Sequence, residues 1–383
     1  MQVDVDANAS HPGRAVGWLE LFYDLVFVAA VVTFSDAISF RPDLGLIGAV
    51  DAAFAAMWLV WLATTLHANR YRDDGAVQRF LVLVQMLLLT INALAVGDGF
   101  EAHPELISIT YALLVLDLAV MYARAAHGRD EEGRLARVRR NQFALAALPI
   151  VAAAFVGEPT RIVLWSVGLA LLAWPTLGFR FGRLGIVAPF DEHHFVERLG
   201  LLTIIVCGES FVKVSLLAAD GSLDGIDISV LITMFVFVFG VWWAYFDDVP
   251  HAGIRPEPTL TAVWLVGHLV LQLGLVASAV GFAKVLGYEL GTTLVGDKSL
   301  LLTLPLVGVL VGLTLIGTGS RRVPQRPLVV LRLGVAAMVG VMAVVTWQLE
   351  WISADGGAAI VAVSALGTAA VETLLLRRTQ VAA

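Results

Sequence analysis

The sequence predicts an all-α membrane protein, a polytopic bundle of about twelve transmembrane helices, and three observations carry that prediction. Hydrophobic residues make up 58% of the chain and charged residues only 15%, against about 25% charged in ordinary globular domains. Apolar runs of about 20 residues recur from Trp18 to Leu376, each long enough to cross roughly 30 Å of hydrocarbon. The charges cluster in the connections between those runs.

Reading the apolar runs between charged breaks places the first four helices near 17–39, 44–66, 77–97 and 104–123. The fifth, 142–156, has about 14 apolar residues around Pro149, which suits a re-entrant or short tilted segment. Helices six to nine follow near 161–178, 193–218, 228–247 and 259–286, and ten to twelve near 298–317, 327–348 and 357–376. If the fifth and sixth fail to cross, ten spans remain and the orientation elsewhere is unchanged.

Orientation follows from Lys and Arg in the connections. With the N-terminus inside, 18 arginines fall on inside segments, and Arg41, Arg161, Lys284 and Lys298 are the 4 basic residues outside. Arg198, Lys213 and Arg332 lie within helices and do not count. Both termini are therefore expected to be cytoplasmic. Trp18, Trp174, Trp242, Trp243, Trp347 and Trp351 fall near span ends, where an amphipathic ring prefers to sit. Gly308 and Gly312 form a GxxxG pair that permits close helix approach.

Spans one and seven open alike, with "WLELFYDLVF" and "FVERLGLLTII", and Glu197 takes the place of Glu20. The second member of each half also ends alike, at "ANRYRDD" (68–74) and "AYFDD" (244–248). A parallel six-plus-six duplication is one plan found among transporters. On that plan the chain divides into a cytoplasmic tail 1–16, a first half 17–190, a second half 191–376 and a tail 377–383.

Several function classes are excluded or unsupported. The net charge of −7 is spread over loops, and no basic patch interleaved with aromatics points to nucleic acid. A single cysteine, Cys207, rules out an intrachain disulfide framework. Residues 1–16 are polar and show no cleavable leader pattern. No P-loop, serine nucleophile motif or Rossmann fingerprint stands out, and no cofactor is expected. Carboxylate and imidazole ligands for a metal exist in Glu20, Asp24, His193 and Glu197, but H-E-x-x-H and paired E-x-x-H segments are missing, so no metal is expected.

Candidate site residues are the ionisable ones inside spans, where a charge costs about 2.5–3.5 kcal/mol and normally faces the bundle interior. Glu20 and Asp24 share one face of span one, within its first two turns. They either anchor a helix start, favoured by the macrodipole, or share a substrate or ion site with "HHFVERLG" of span seven. There His193 and Glu197 lie on one face, as do His194 and Arg198. Asn69, Arg70, Asp73, Asp247 and Asp248 would add a gate or support at the same level. Glu209 and Lys213 lie one turn apart in the favourable order for an intrahelical pair, and the alternative is a substrate or proton site to which Gly208 gives a partner access. His268 is expected to be a hydrogen-bonded packing residue. Asp51, Asp117 and Glu372 carry no assigned role.

The stretches "LELFYDLVFVAAV" (19–31) and "HFVERLGLLTIIVCGES" (194–210), with "ANRYRDD" and "WWAYFDD" (242–248), resemble the bacterial low temperature requirement A family. The resemblance implies a multi-pass membrane protein and no particular reaction. A second similarity is weaker. Leu19, Glu20, Phe22, Asp24, Val26 and Phe27 match the first-helix pattern of endolysosomal potassium channels and their bacterial relatives, with Tyr23 in place of a serine.

Three functions are compatible with these residues. The first is ion- or proton-coupled transport of a small solute, favoured because acids recur at matching positions in two halves. The second is a cation channel, with acids flanking a pore. The third is a non-transport protein, either a lipid-modifying enzyme or a scaffold for growth in the cold. The expected partners are the lipid bilayer and a proton, cation or small molecule.

Overall fold

Twelve helices follow one another in the computed structural model, which describes residues 16–40, 44–127, 131–177, 191–220, 228–286, 288–322 and 326–381. The first six are α1 (Trp18–Phe40), α2 (Leu44–Tyr71), α3 (Ala76–Asp98), α4 (Pro104–Ala125), α5 (Glu131–Ala153) and α6 (Thr160–Thr176). The rest are α7 (Glu192–Asp220), α8 (Ile228–Ala252), α9 (Pro258–Leu286), α10 (Asp297–Gly319), α11 (Arg326–Leu349) and α12 (Ala354–Val381). Most of the tail 1–16, and Arg14, Arg41, Arg129, Arg180 and Arg183 of the orientation argument, lie outside the described residues.

Among the described residues eight helices are long and apolar enough to cross a bilayer: α2, α3, α4 and α8 through α12. The protein is a multi-pass membrane protein surrounded by lipid. Four boundaries differ from the sequence reading by five residues or more. Helices α2 and α8 run on to Tyr71 and Ala252, past the expected ends at 66 and 247. The arginine-rich stretch before Asn141 is the first part of α5 itself: Glu131 to Arg140 contains no proline, and its one glycine, Gly133, falls in the first turn. The expected tail from Arg377 continues α12 to Val381.

Lipid-facing stripes are plain on the outer helices. Phe80, Leu83, Leu87 and Leu94 of α3 are exposed at helical spacing, as are Val330, Leu333, Met338, Val341 and Val344 of α11. In contrast α2 is buried on every side from Ala56 to Ala63, which places it at the centre. Trp58, Trp61 and Trp264 fill that core, whereas Trp18, Trp174, Trp347 and Trp351 stay exposed near helix ends, and Trp242 is exposed well inside α8, which runs on to Ala252.

Helix neighbours recur with an offset of six. In the first half α1 packs on α3, α3 on α4, α4 on α5 and α5 on α6; in the second, α7 packs on α9, α9 on α10, α10 on α11 and α11 on α12. The pairs α1–α2 and α7–α8, and α2–α6 and α8–α12, extend the match. Glycine sets the closest approaches. A Cβ on Gly312 would stand 2.6 Å from the Leu271 nitrogen, and one on Gly240 2.7 Å from the Leu366 nitrogen.

Candidate functional site

Helix α1 starts at Trp18, and Glu20 turns back to accept the Gly17 N–H at 2.7 Å. The next turn brings Asp24 beneath it. Both acids face α7, where they meet His194 and Arg198. Arg198 donates to Asp24 Oδ1 at 2.7 Å and lies 3.4 Å from Glu20 Oε1. Its guanidinium carbon sits 5.6 Å from the centre of the Trp61 ring, and the Trp61 N–H donates to the same Asp24 oxygen at 2.7 Å. Asp24, His194 and Arg198 are at most 1% exposed, and Glu20 is 9% exposed.

Hydrogen bonding orients the His194 ring. Asn69 Oδ1 accepts the Asp191 N–H at 3.0 Å, and its Nδ2 donates to the Asp191 carbonyl at 2.8 Å. A backbone N–H only donates and a carbonyl only accepts, so the amide has one orientation. The same Nδ2 lies 3.1 Å from His194 Nδ1, which must accept. The ring proton is therefore on Nε2 and points at Glu20 Oε2, 3.2 Å away. Two carboxylates thus face one guanidinium.

This cluster forms the inner wall of a cavity of about 560 Å³ between the start of α1, the end of α2 and the start of α3. Glu20 and Arg198 are the cluster members that line the cavity, together with Trp18, Phe22, Tyr23, Gln78 and Arg79 among others, and with Arg72, Asp73 and Asp74 at the mouth. Glu20 Oε1, the Tyr23 hydroxyl and Gln78 Oε1 are buried without a hydrogen-bond partner among the described residues. All three are oxygens on residues that line the cavity. At the mouth the Gly75 N–H, 2.9 Å away, and Arg124, 3.2 Å away, hold the Asp73 carboxyl below its ordinary range.

A second buried polar layer lies farther along the same two helices. Glu209 and Lys213 are 3.8 Å apart, and the Ser35 hydroxyl donates to Glu209 Oε1 at 3.1 Å. The pairs Glu20–His194, Asp24–Arg198 and Ser35–Glu209 share one sequence offset, 174 residues. A constant difference means that α1 and α7 run parallel and in register. Between the layers, Phe27, Val31, Leu202 and Val206 are wholly buried, an apolar plug of about 16 Å at 1.5 Å per residue. Trp58, Gln272 and Thr203 link α2, α9 and α7 alongside the plug, through hydrogen bonds of 2.7 and 3.1 Å.

Of the sequence-derived candidates, Glu20, Asp24, His194, Arg198 and Asn69 come together, and Glu209 pairs with Lys213 a few turns away. His193 is exposed and Glu197 half-buried on a different face of α7, so Glu197 does not meet Glu20. The reason is angular. Neighbouring residues differ by about 100° around a helix, and only one of the two faces can meet α1. Arg70 lies half-buried at the end of α2, and Asp73 lines the mouth. Asp247 accepts from Thr373 at 2.9 Å, and Asp248 lies 3.9 Å from both Arg322 and Arg332, so these two acids serve the second half rather than the α1–α7 cluster. Gly208 gives no partner close access: a Cβ there would meet nothing within 4 Å.

The residues that sequence reasoning missed are Ser35, Trp61, Tyr23 and Gln78, together with the clamp of Arg332 on Glu372 at 2.6 and 2.8 Å. An arginine inside a span was the available signal for the last. His268 is a packing residue, between the Tyr245 hydroxyl at 3.0 Å and the Trp264 carbonyl at 2.9 Å. Among the described residues no group of three His, Cys, Asp or Glu side chains is placed to hold a metal.

Comparison with known proteins agrees in extent with this architecture. The family model described as bacterial low temperature requirement A protein (LtrA) matches residues 15–366. An uncharacterized protein of Rhizobium meliloti (strain 1021) is 26% identical over 293 residues, which cover 71% of this chain and 70% of the relative.

Proposed function

The chain belongs to the bacterial low temperature requirement A family, and we propose that it is an ion- or proton-coupled transporter of a small solute in the cytoplasmic membrane. One observation carries this reading. A buried cluster in which two carboxylates share one guanidinium borders an open cavity, on the seam between two parallel helices.

A net charge in that position is costly unless it is balanced. A proton on Glu20 or Asp24, or a bound cation, balances it and weakens the hold of Arg198 on α1. Loading is thereby coupled to the α1–α7 seam. The apolar plug separates the inner layer from Ser35, Glu209 and Lys213, which supports access from one side at a time. Of the cavity's oxygens without a hydrogen bond among the described residues, Gln78 Oε1 and Glu20 Oε1 accept and the Tyr23 hydroxyl can donate or accept, so a solute with hydrogen-bond donors fits this lining. Recurring helix neighbours support a parallel duplication into halves 17–190 and 191–376, a plan in which halves rock about a central site. Both termini are cytoplasmic in this reading, by the arginine bias.

Reconstitution in proteoliposomes tests the proposal. Uptake from a panel of amine- and amide-bearing solutes should saturate, depend on an imposed pH or cation gradient, and be lost in Glu20→Gln and Asp24→Asn. Glu197→Gln should transport normally. Unitary currents with ohmic flux would replace the proposal with a channel. Turnover of lipid without flux would replace it with an enzyme.

A further inference from the structure

Asp51 lies on α2 about 10 Å past the helix start, counted at 1.5 Å per residue. It borders a crevice of about 240 Å³ between α2, α9 and α10, well away from the α1–α7 cluster. Ile47, Leu273, Ala277 and Leu304 are among its apolar walls, and Asp51 is the sole ionisable residue in the lining. Space remains there because Gly274 and Gly308 bring α9 and α10 together without side chains. Leu304 is 41% exposed in the middle of a span, and Asp51 and Ile47 are half-buried, so the crevice opens toward the bilayer.

Asp51 has no hydrogen-bond or ionic partner among the described residues. Two other acids within helices are engaged, Glu209 with Lys213 and Glu372 through two hydrogen bonds from Arg332, whereas Asp117 of α4 also has a buried oxygen without a hydrogen bond among the described residues but does not line this crevice. A carboxylate alone in hydrocarbon is unfavourable, and such groups pair or mark a ligand path. What this crevice lacks is a cation, and its walls are apolar.

We propose that the Asp51 crevice is a second binding site, one that takes an organic monocation arriving from the lipid. The ligand class is an alkyl- or arylammonium ion with one charged head and a body of about ten heavy atoms, the size that a close-packed space of this volume admits. Its N–H groups donate to the Asp51 carboxylate, a charge-assisted contact, and its body rests on Ile47, Leu273 and Leu304. The site does not depend on the transport reading of the α1–α7 cluster.

The test uses the full chain in lipid nanodiscs with 2-phenylethylammonium as probe, and 2-phenylethanol and 3-phenylpropanoate as neutral and anionic counterparts. Thermal stability should rise with the ammonium alone. In Asp51→Asn the half-maximal concentration should be about tenfold higher or more, the loss of one charge-assisted hydrogen bond. Glu20→Gln should retain the full response, which separates this site from the first. As a second readout, the ammonium should protect Asp51 from modification by dicyclohexylcarbodiimide, an apolar carboxyl reagent, as mapped by peptide mass. An equal response in wild type and Asp51→Asn, or no response in either, overturns the proposal. Modification of Asp51 that the ammonium does not slow also overturns it, and identifies a protonated structural carboxyl instead.

Discussion

Arg198 faces Asp24 and Glu20 at once, with the Trp61 ring beside its guanidinium. A planar fork with fixed donors suits that task, and the point charge of lysine does not. Removing it leaves two acids buried in the seam. Arg198→Met should therefore cost about 3–5 kcal/mol of stability, the usual result of breaking a buried pair from one side. Adding Asp24→Asn to that variant should recover part of the loss. Thermal unfolding of the three proteins in one detergent checks both statements, and an Arg198→Met protein as stable as wild type would mean the acids are not charged. At the cavity mouth the sign of the pH effect follows from Asp73. Its folded-state acidity is strengthened by Gly75 and Arg124, so its contribution is present above the unfolded value of 3.8 and is lost as pH falls through the lower folded value. Asp73→Asn should be less stable than wild type near neutrality, and the two melting curves should converge as pH is lowered below that value.

At the level of helices, glycine determines which pairs come closest. The GxxxG pair of α10 is not symmetric in its consequences. A Cβ at Gly312 would lie 2.6 Å from the Leu271 nitrogen and 2.8 Å from the Gly267 carbonyl, whereas one at Gly308 would meet its nearest neighbour at an ordinary 3.7 Å. Gly312→Ala should cost about 1–3 kcal/mol, the range for overpacking a close contact, and Gly308→Ala should be near neutral. Parallel melting of the two variants decides it; equal losses would show that α9 and α10 slide apart freely. Helix α11 is peripheral, and a buried Arg332 ties it to Glu372 of α12 and to the Leu313 carbonyl of α10. Those three bonds explain how so lipid-exposed a helix keeps its register.

For the whole molecule, the parallel run of α1 and α7 requires both helices to enter the membrane from the same side. Counted from the entry of α1 to the entry of α7, the number of crossings must then be even, six (α1 through α6) by the plan of the two halves. Helices α5 and α6 accordingly cross as a pair or not at all. Arginine bias assigns the side. Cys207 is buried, so the native thiol gives little background to a water-soluble maleimide. In intact cells Glu289→Cys, between α9 and α10, should label from outside. Arg134→Cys, on the first turn of α5, should label only after the membrane is opened. The reverse pattern would invert the topology and move the 560 Å³ cavity to the outer face.

Twelve helices were legible in the chain because hydrocarbon imposes one simple requirement, a run of apolar residues of fixed length, whereas the polar ends of α2, α5, α8 and α12 lie beyond what that requirement marks. Glu20, Asp24, Arg198, Glu209 and Lys213 were legible for the same reason, since charge inside a span stands out against its surroundings. Which of them meet was not. His193 with Glu197 and His194 with Arg198 are equally good faces on paper, and only the packing of α7 on α1 selects the second. Packing likewise turns Asp248 toward Arg332, 84 residues on, and leaves Asp51 in a crevice without a partner among the described residues. Sequence determines that a side chain must avoid lipid or find company there. Tertiary structure decides which company, because that depends on the rotation of each helix about its own axis, and rotation is set by neighbours far away in the chain.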